Sequence, residues 1–190
     1  VAGAKFAKSA ADRKWLQQDR KRREILTLRD LGIWAHFVGD GSQPLHVSVH
    51  YNGWGDFPNP HEFSGKNLHA RFETDFINAN IREKDVAGLI GSARPTEGAI
   101  RDRTIRYLLG TAMHVETTYW LDQAQAFETA TPEARQFAVA RLADGATMLR
   151  DLVAGAWAES ADTALGYGTH KLPLADVETG KASPLSQLRD

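Results

Sequence analysis

Residues 31–73 read LGIWAHFVGDGSQPLHVSVHYNGWGDFPNPHEFSGKNLHARFE and hold five of the seven histidines of the chain. Two pairs of side chains in this stretch, His36 with Asp40 and His69 with Glu73, are spaced four residues apart. Residues four apart on a helix project from the same face, one turn from each other. Each pair therefore has the spacing to bind one metal ion.

A helix break separates the two pairs. Pro44 disfavours a helical conformation at Gln43 and lacks a backbone donor, so the first helix is predicted to end before it. The break lets His46 approach the pairs from a new direction. Imidazole and carboxylate ligands without a thiolate are typical of a zinc site with open positions for water, the catalytic kind, and they suit manganese or iron less well. The predicted metal ligands are His36, Asp40, His46, His69 and Glu73.

Composition narrows the class of protein. The chain has 190 residues, of which 42% are apolar and 25% charged, and this predicts a single globular domain over residues 1–190. The formal net charge of -1 offers no electrostatic argument for a nucleic-acid or membrane partner. The absence of cysteine excludes disulfides and thiolate–zinc sites. No apolar run is long enough to span a bilayer, so no stable membrane insertion is expected.

Hydrophobic periodicity predicts an all-α, mostly helical fold. The apolar spacing of Ile25, Leu28 and Val38 predicts a buried stripe on the helix that carries the first ligand pair. A second helix is expected to run without interruption from Thr96 to Phe127. The predicted helices cover residues 5–16, 22–41, 67–80, 82–93 (a short helix and turn), 96–127 and 131–161. Residues 169–190 are predicted to form an extended tail.

The segment Val47–Ser64 has no convincing period and is predicted to be a long loop over the site. Its aromatic residues Tyr51, Trp54 and Phe57 allow two interpretations. In the first, they line a substrate cleft. In the second, they pin the loop to the body of the domain.

The ligand set also predicts a reaction. Two metal ions a few ångströms apart would activate water and neutralise the oxygens of a phosphodiester during in-line attack. Asp40 is the expected bridge between them, because a carboxylate has two oxygens and an imidazole offers only one free nitrogen. A polyanionic substrate would then be held by metal.

Two motifs resemble the superfamily that joins zinc-dependent phospholipase C to the single-strand-specific nucleases. HFVGDGSQPLH at residues 36–46 matches the H-F-x-G-D-x-x-Q-P-L-H segment of that superfamily, and NLHARFE at residues 67–73 matches its N-L-H-x-x-x-[D/E] segment. The resemblance implies a mostly helical domain of the zinc phospholipase C/nuclease type, with two or three Zn²⁺ ions in a cleft.

The resemblance also implies how the ligands divide. His36 and Asp40 would serve the first zinc, with Asp40 shared, and His46, His69 and Glu73 would serve the second. Those enzymes use further ligands and a general-base aspartate well upstream of the first motif. Here thirty-five residues precede His36 and none of them is histidine. The chain is therefore expected to be the C-terminal part of a larger zinc hydrolase domain, completed by an upstream segment of the same protein.

By resemblance, the function is that of a secreted or periplasmic zinc-dependent phosphodiester hydrolase. Glu73 and the absence of cysteine favour a phospholipase-C-like enzyme, whereas Asn67 and the spacing from His46 to His69 favour a nuclease or nucleotidase. The expected substrate is a small phosphodiester, a phospholipid or a single-stranded nucleic acid. The missing upstream ligands leave a third interpretation, a catalytically silent metal-binding domain.

Overall fold

The computed structural model describes residues 1–64, 66–93, 98–166 and 171–188, and it is mostly helical. Helix accounts for 66% of the residues and strand for 2%, which confirms the all-α class. The α-helices are α1 (Ala2–Lys5), α2 (Ala10–Asp40), α3 (Ile77–Asn80), α4 (Glu83–Ala87), α5 (Ile100–Ala112), α6 (Val115–Gln123), α7 (Pro132–Glu159), α8 (Leu174–Glu178) and α9 (Leu185–Leu188). Pro44–Val47 and Ser160–Asp162 form 3₁₀ turns, and Ala70–Phe76 is a π-helix. The starting segment of the predicted 96–127 helix lies outside the described residues.

The chain divides into two compact units, residues 1–34 with 154–190 and residues 35–153. The single domain predicted over residues 1–190 stays a prediction. In the first unit α1 packs against α8. There β1 (Ala164–Leu165) pairs antiparallel with β2 (Leu172–Pro173). None of the described helices combines the length and the apolar composition that a membrane crossing requires.

The prediction of an extended tail over residues 169–190 is wrong for residues 171–188, the part of it that the structure describes. Helices α8 and α9 lie within it, and Val177 on α8 is only 4% exposed. The reason is local packing: a Cβ on Gly3 would lie 2.7 Å from the Cγ of Pro184, so α1 approaches this segment closely. The sequence pattern missed these helices because they are only five and four residues long.

The second unit is built around an aromatic core. The loop between the 3₁₀ turn and the π-helix contains no helix or strand over residues 48–64, as predicted. Two of its aromatic side chains, Trp54 and Phe63, are buried and contact Tyr119 of α6. Buried residues of this core are Leu45, Trp54, Phe63, Leu68, Phe72, Phe76, Ile81, Val115, Tyr119, Ala126, Phe127, Ala134 and Ala138. The loop is thus fixed by its own aromatic residues.

The hydroxyl of Tyr119 on α6 holds this loop through two hydrogen bonds to its backbone. The hydroxyl donates to the carbonyl oxygen of His50 at 2.7 Å and accepts from the N–H of Gly53 at 3.0 Å. The residue is 1% exposed, and burial raises the pKa of its phenol. The hydroxyl therefore satisfies two backbone groups of a loop that has no secondary structure of its own.

The apolar stripe predicted along α2 is corrected. Val38 is buried, but Ile25 and Leu28 are 68% and 70% exposed. Residues 21–30 are all exposed, since no described element covers this part of the helix. The stripe was predicted only from the helical spacing of its apolar residues. That spacing does not show whether another element packs against the stripe.

The uninterrupted helix predicted over residues 96–127 is also wrong. Met113 and His114 separate α5 from α6, and the N–H of His114 bonds to the carbonyl of Thr111, three residues back. The two helices then present different faces. Val115 is buried, whereas Leu109 is 63% exposed.

The start of α7 agrees with the sequence. The hydroxyl of Thr131 accepts a hydrogen bond from the N–H of Ala134 at 3.3 Å, which is the expected N-cap geometry. Hydrogen bonds from its own backbone and from Thr131 lower the pKa of Glu133, the acid in the first turn. This long helix forms one wall of the second unit.

We expect Tyr119→Phe to destabilise the protein by about 1–3 kcal/mol, because it removes two hydrogen bonds from part-buried backbone groups of the loop. Urea unfolding followed by circular dichroism measures this loss. Tyr51→Phe is the matched control, since that side chain is 62% exposed and should change stability by less than about 0.5 kcal/mol. Equal effects of the two changes would contradict the role assigned to Tyr119.

Candidate metal centre

The turn after α2 places His46 beside two other predicted metal ligands, Asp40 and Glu73. Helix α2 ends at Asp40, and Gln43 adopts an extended conformation before Pro44, the first residue of the 3₁₀ turn. The side-chain oxygen of Gln43 accepts the N–H of Leu45 at 3.0 Å and so caps that turn. The predicted break is confirmed, and it turns the chain so that His46 faces back toward α2.

His69 and Glu73 meet across one helical turn, as their spacing predicts. The segment is a π-helix, Ala70–Phe76, and not the α-helix that was predicted. Glu73 lies within it, and His69 is its N-cap residue. The Nε2 of His69 lies 3.0 Å from Oε2 of Glu73. Short π segments of this kind often occur at functional sites, because they re-aim a side chain within a helix.

Three donor atoms from these two segments converge. The Nε2 of His46 lies 3.1 Å from Oε2 of Glu73 and 3.0 Å from Nε2 of His69. The two imidazole rings stack with centroids 4.8 Å apart at an interplanar angle of 25°. Among the described residues, His46, His69 and Glu73 form the one group of this kind with the geometry to hold a metal ion.

The contacts of the second ring nitrogens favour one tautomer of each of the two histidines. The Nδ1 of His46 lies 3.2 Å from Oδ1 of Asp40, and the Nδ1 of His69 lies 3.1 Å from the carbonyl oxygen of Tyr51. A carbonyl oxygen only accepts, and a carboxylate accepts when ionised, so both Nδ1 atoms carry the proton. In neutral rings of this tautomer, both Nε2 atoms present lone pairs toward the carboxylate of Glu73. A cation completes such an arrangement, either a metal ion or a proton on one of the two imidazoles.

The group fits zinc. In a tetrahedral zinc site with bonds of about 2.0–2.1 Å, neighbouring ligand atoms are about 3.3 Å apart. The three observed separations, 3.0–3.1 Å, are close to that value. Imidazole nitrogen whose other ring nitrogen donates to a carboxylate or carbonyl is the usual form of a zinc-binding histidine. The side chains of the three residues are 24–45% exposed, so a fourth ligand from solvent has access.

His36 and Asp40 lie beside this group and are not part of it. Oδ2 of Asp40 lies 3.4 Å from Nε2 of His36, while Oδ1 faces His46. The side chain of His36 is 70% exposed. Oδ1 of Asp40 thus faces Nδ1 of His46 and not the Nε2 that joins the triad, so a bridge from Asp40 between two metal ions stays a prediction. A first zinc held by His36 and Asp40 stays a prediction.

Gln43 is a site residue that ligand spacing did not identify. It is 9% exposed, and its amide N–H donates to Oε2 of Glu73 at 3.0 Å. The same side chain caps the 3₁₀ turn, so Gln43 ties the turn that carries His46 to the helix that carries Glu73. The sequence feature that could have identified Gln43 is its position directly before Pro44 in the first motif.

The three aromatic residues of the loop have different surroundings. Trp54 is 7% exposed, stacks on His50 at 3.9 Å and donates its indole N–H to the carbonyl of Pro58. It pins the loop, which supports the second of the two interpretations for this residue. Tyr51 and Phe57 are 62% and 52% exposed, so their role as substrate contacts stays a prediction.

Two depressions flank the centre. The first, here called the α7 cleft, has a volume of about 350 Å³ and is lined by Asp40, Gln43, His46 and Glu73 together with aliphatic and small residues of α7. The second, here called the aromatic groove, has a volume of about 840 Å³ and is lined by Phe37, Tyr51, Leu108, Leu109, Asp40, His46 and His69 among others. The candidate centre is therefore open on two sides.

Comparisons with protein-family models, with curated proteins and with solved structures found no match for this chain.

We expect Gln43→Glu to weaken zinc binding about 10–100-fold, the usual effect of losing a hydrogen bond to a metal ligand. The change keeps the size of the side chain but replaces the N–H that faces Glu73 with an oxygen. Competition with a zinc-binding dye measures the affinity. Gln125→Glu, on a turn outside both depressions, is the control. An unchanged affinity in Gln43→Glu would contradict the positioning role.

Proposed function

We propose that this chain is part of a zinc-dependent phosphodiester hydrolase of the phospholipase C type, in which His46, His69 and Glu73 bind one zinc ion. The observation that supports the proposal is the meeting of the Nε2 atoms of two imidazoles and a carboxylate oxygen within 3.1 Å. Zinc bound there would polarise a phosphoryl oxygen and lower the pKa of a water molecule.

The protein groups around the triad have separate roles in this proposal. Asp40 and the carbonyl of Tyr51 hold the two imidazoles in the tautomer that leaves Nε2 free. Gln43 orients Glu73. A second and a third zinc, together with the general base, would depend on His36, Asp40 and the upstream segment implied by the resemblance. Secretion or export to the periplasm belongs to the same proposal.

One observation favours the alternative of a single-strand-specific nuclease. Phe37 and Tyr51 are 67% and 62% exposed and both line the aromatic groove, which also contains His46 and His69. Exposed aromatic rings are the stacking surfaces on which single-stranded nucleic acids are usually held. The two substrate classes are therefore compared directly in the assay below.

We expect the purified chain to hold about one zinc ion in zinc-supplemented buffer, since three protein ligands and water complete a tetrahedral site. Elemental analysis measures the content. His69→Ala should lose the ion, whereas His61→Ala should keep it, because His61 packs against the rings of Phe63 and Trp120 outside the triad. A His69→Ala variant that retained all its zinc would contradict the site.

Hydrolysis is tested with a phosphatidylcholine analogue and single-stranded DNA side by side, each with and without chelator. Because the general base is expected from the upstream segment, we expect this chain alone to turn over the phosphatidylcholine analogue below full activity. The chelator should abolish that turnover, because the metal is required for the reaction. Cleavage of the DNA alone would favour the nuclease. Full zinc loading without turnover of either substrate, even after the upstream sequence is restored, would indicate the silent metal-binding domain. Hydrolysis that resists the chelator would rule out the metal mechanism.

A further inference from the structure

The α7 cleft has a polar end and an apolar body. Asp40, His46 and Glu73 form the polar end next to the candidate metal centre. The body is lined mainly by aliphatic and small residues, among them Ile77, Ala146 and Leu149. Such a lining accepts an apolar group and offers it few hydrogen bonds.

Arg141 is the one permanently cationic side chain among the described residues that line this cleft. Its side chain is 13% exposed, and its Nη2 pairs with Oδ2 of Asp144 at 2.9 Å. Its Nε is buried and has no hydrogen-bond partner among the described residues. A buried guanidinium with a donor unused is costly to keep, so it calls for a functional explanation.

The charges of the cleft explain what Arg141 could do. Without it, the lining would carry only the two carboxylates of Asp40 and Glu73 as full charges, and an anionic ligand would be repelled. The partner of Arg141, Asp144, is 53% exposed on its side chain, so solvent screens that pairing. The guanidinium thus keeps much of its attraction for a second anion.

Neighbouring groups hold the guanidinium in place. The Cζ of Arg141 lies 5.9 Å from the centre of the Phe137 ring. The pKa of His114 lies below its ordinary value. Burial is the larger cause, and the positive charge of Arg141 adds to it. His114 is therefore favoured in its neutral form, which does not compete with Arg141 for an anion.

We propose that Arg141 binds an oxygen anion of a phosphate ester and that the aliphatic ester group of the same molecule occupies the body of the α7 cleft. The inference rests on the proposed function for the chemistry of the neighbouring triad. It adds an anion-binding residue on α7 and restricts the ligand to a phosphate with an apolar substituent. Guanidinium suits this role because its planar donors match two phosphate oxygens at once.

Isothermal titration of the zinc-supplemented chain with inorganic phosphate, methyl phosphate and octyl phosphate tests the proposal. Octyl phosphate should bind about tenfold or more tightly than methyl phosphate, because its chain is buried in the cleft. Arg141→Gln should weaken binding of all three by about tenfold or more, the usual effect of losing a charged hydrogen bond. Arg141→Lys should be intermediate, since it keeps the charge and loses the paired donors.

Two further variants complete the design. Arg101→Gln removes the same charge from an exposed position of α5 outside the cleft and should change each affinity by less than about twofold. Ala146→Leu fills the body of the cleft and should remove the preference for octyl over methyl phosphate while binding inorganic phosphate as before. This second readout does not depend on Arg141, so it also decides the proposal if Arg141→Gln fails to fold.

The outcomes separate this inference from the proposed function. Zinc content is measured on every sample. A chain that holds zinc but binds phosphate equally well with and without Arg141 overturns the inference and leaves the metal site standing. A chain that holds no zinc yet loses phosphate binding in Arg141→Gln refutes the metal site and supports the inference. A wild-type chain that binds none of the three phosphates, or shows no preference for octyl phosphate, overturns it.

Discussion

The side chain of Gln43 joins two segments that are thirty residues apart. Its oxygen caps the 3₁₀ turn through the N–H of Leu45, and its amide N–H holds Oε2 of Glu73. Gln43 itself is only 9% exposed, so water has little access to its side chain. The positions of His46 on the turn and Glu73 on the π-helix are therefore coupled through one amide. The geometry of the candidate centre depends on that coupling.

The aromatic core supports the same centre from the other side. Tyr119 holds the backbone of the loop at His50 and Gly53, and the next residues of that loop include Tyr51, whose carbonyl accepts from His69. A loop of this length would otherwise be mobile. Its fixation by buried rings places the backbone carbonyl of Tyr51 against Nδ1 of His69, a residue of the candidate centre. Packing in the core and the chemistry of the centre are in this way connected.

Much of the candidate centre was predictable because its information is local. The four-residue spacing of His69 and Glu73 and the break at Pro44 are short-range features, and the structure agrees with both. Gln43 was missed because its bond to Glu73 joins residues thirty apart in sequence. Arg141 was missed because its place in the lining of the α7 cleft depends on tertiary packing. Trp54 could not be assigned either, because an aromatic residue in a loop is equally compatible with packing and with substrate contact.

The sequence by itself determined the all-α class, the C-terminal end of α2, the start of α7 and the approach of His69 to Glu73, because each depends on local features of the sequence. Only the tertiary structure decided the break between α5 and α6, the exposure of Ile25 and Leu28, the π winding at Glu73 and the meeting of His46 with His69. These features depend on which element packs against a segment, and the spacing of apolar residues does not identify that element. Three lone-pair atoms within 3.1 Å are likewise a product of folding, since their segments are separated by a loop.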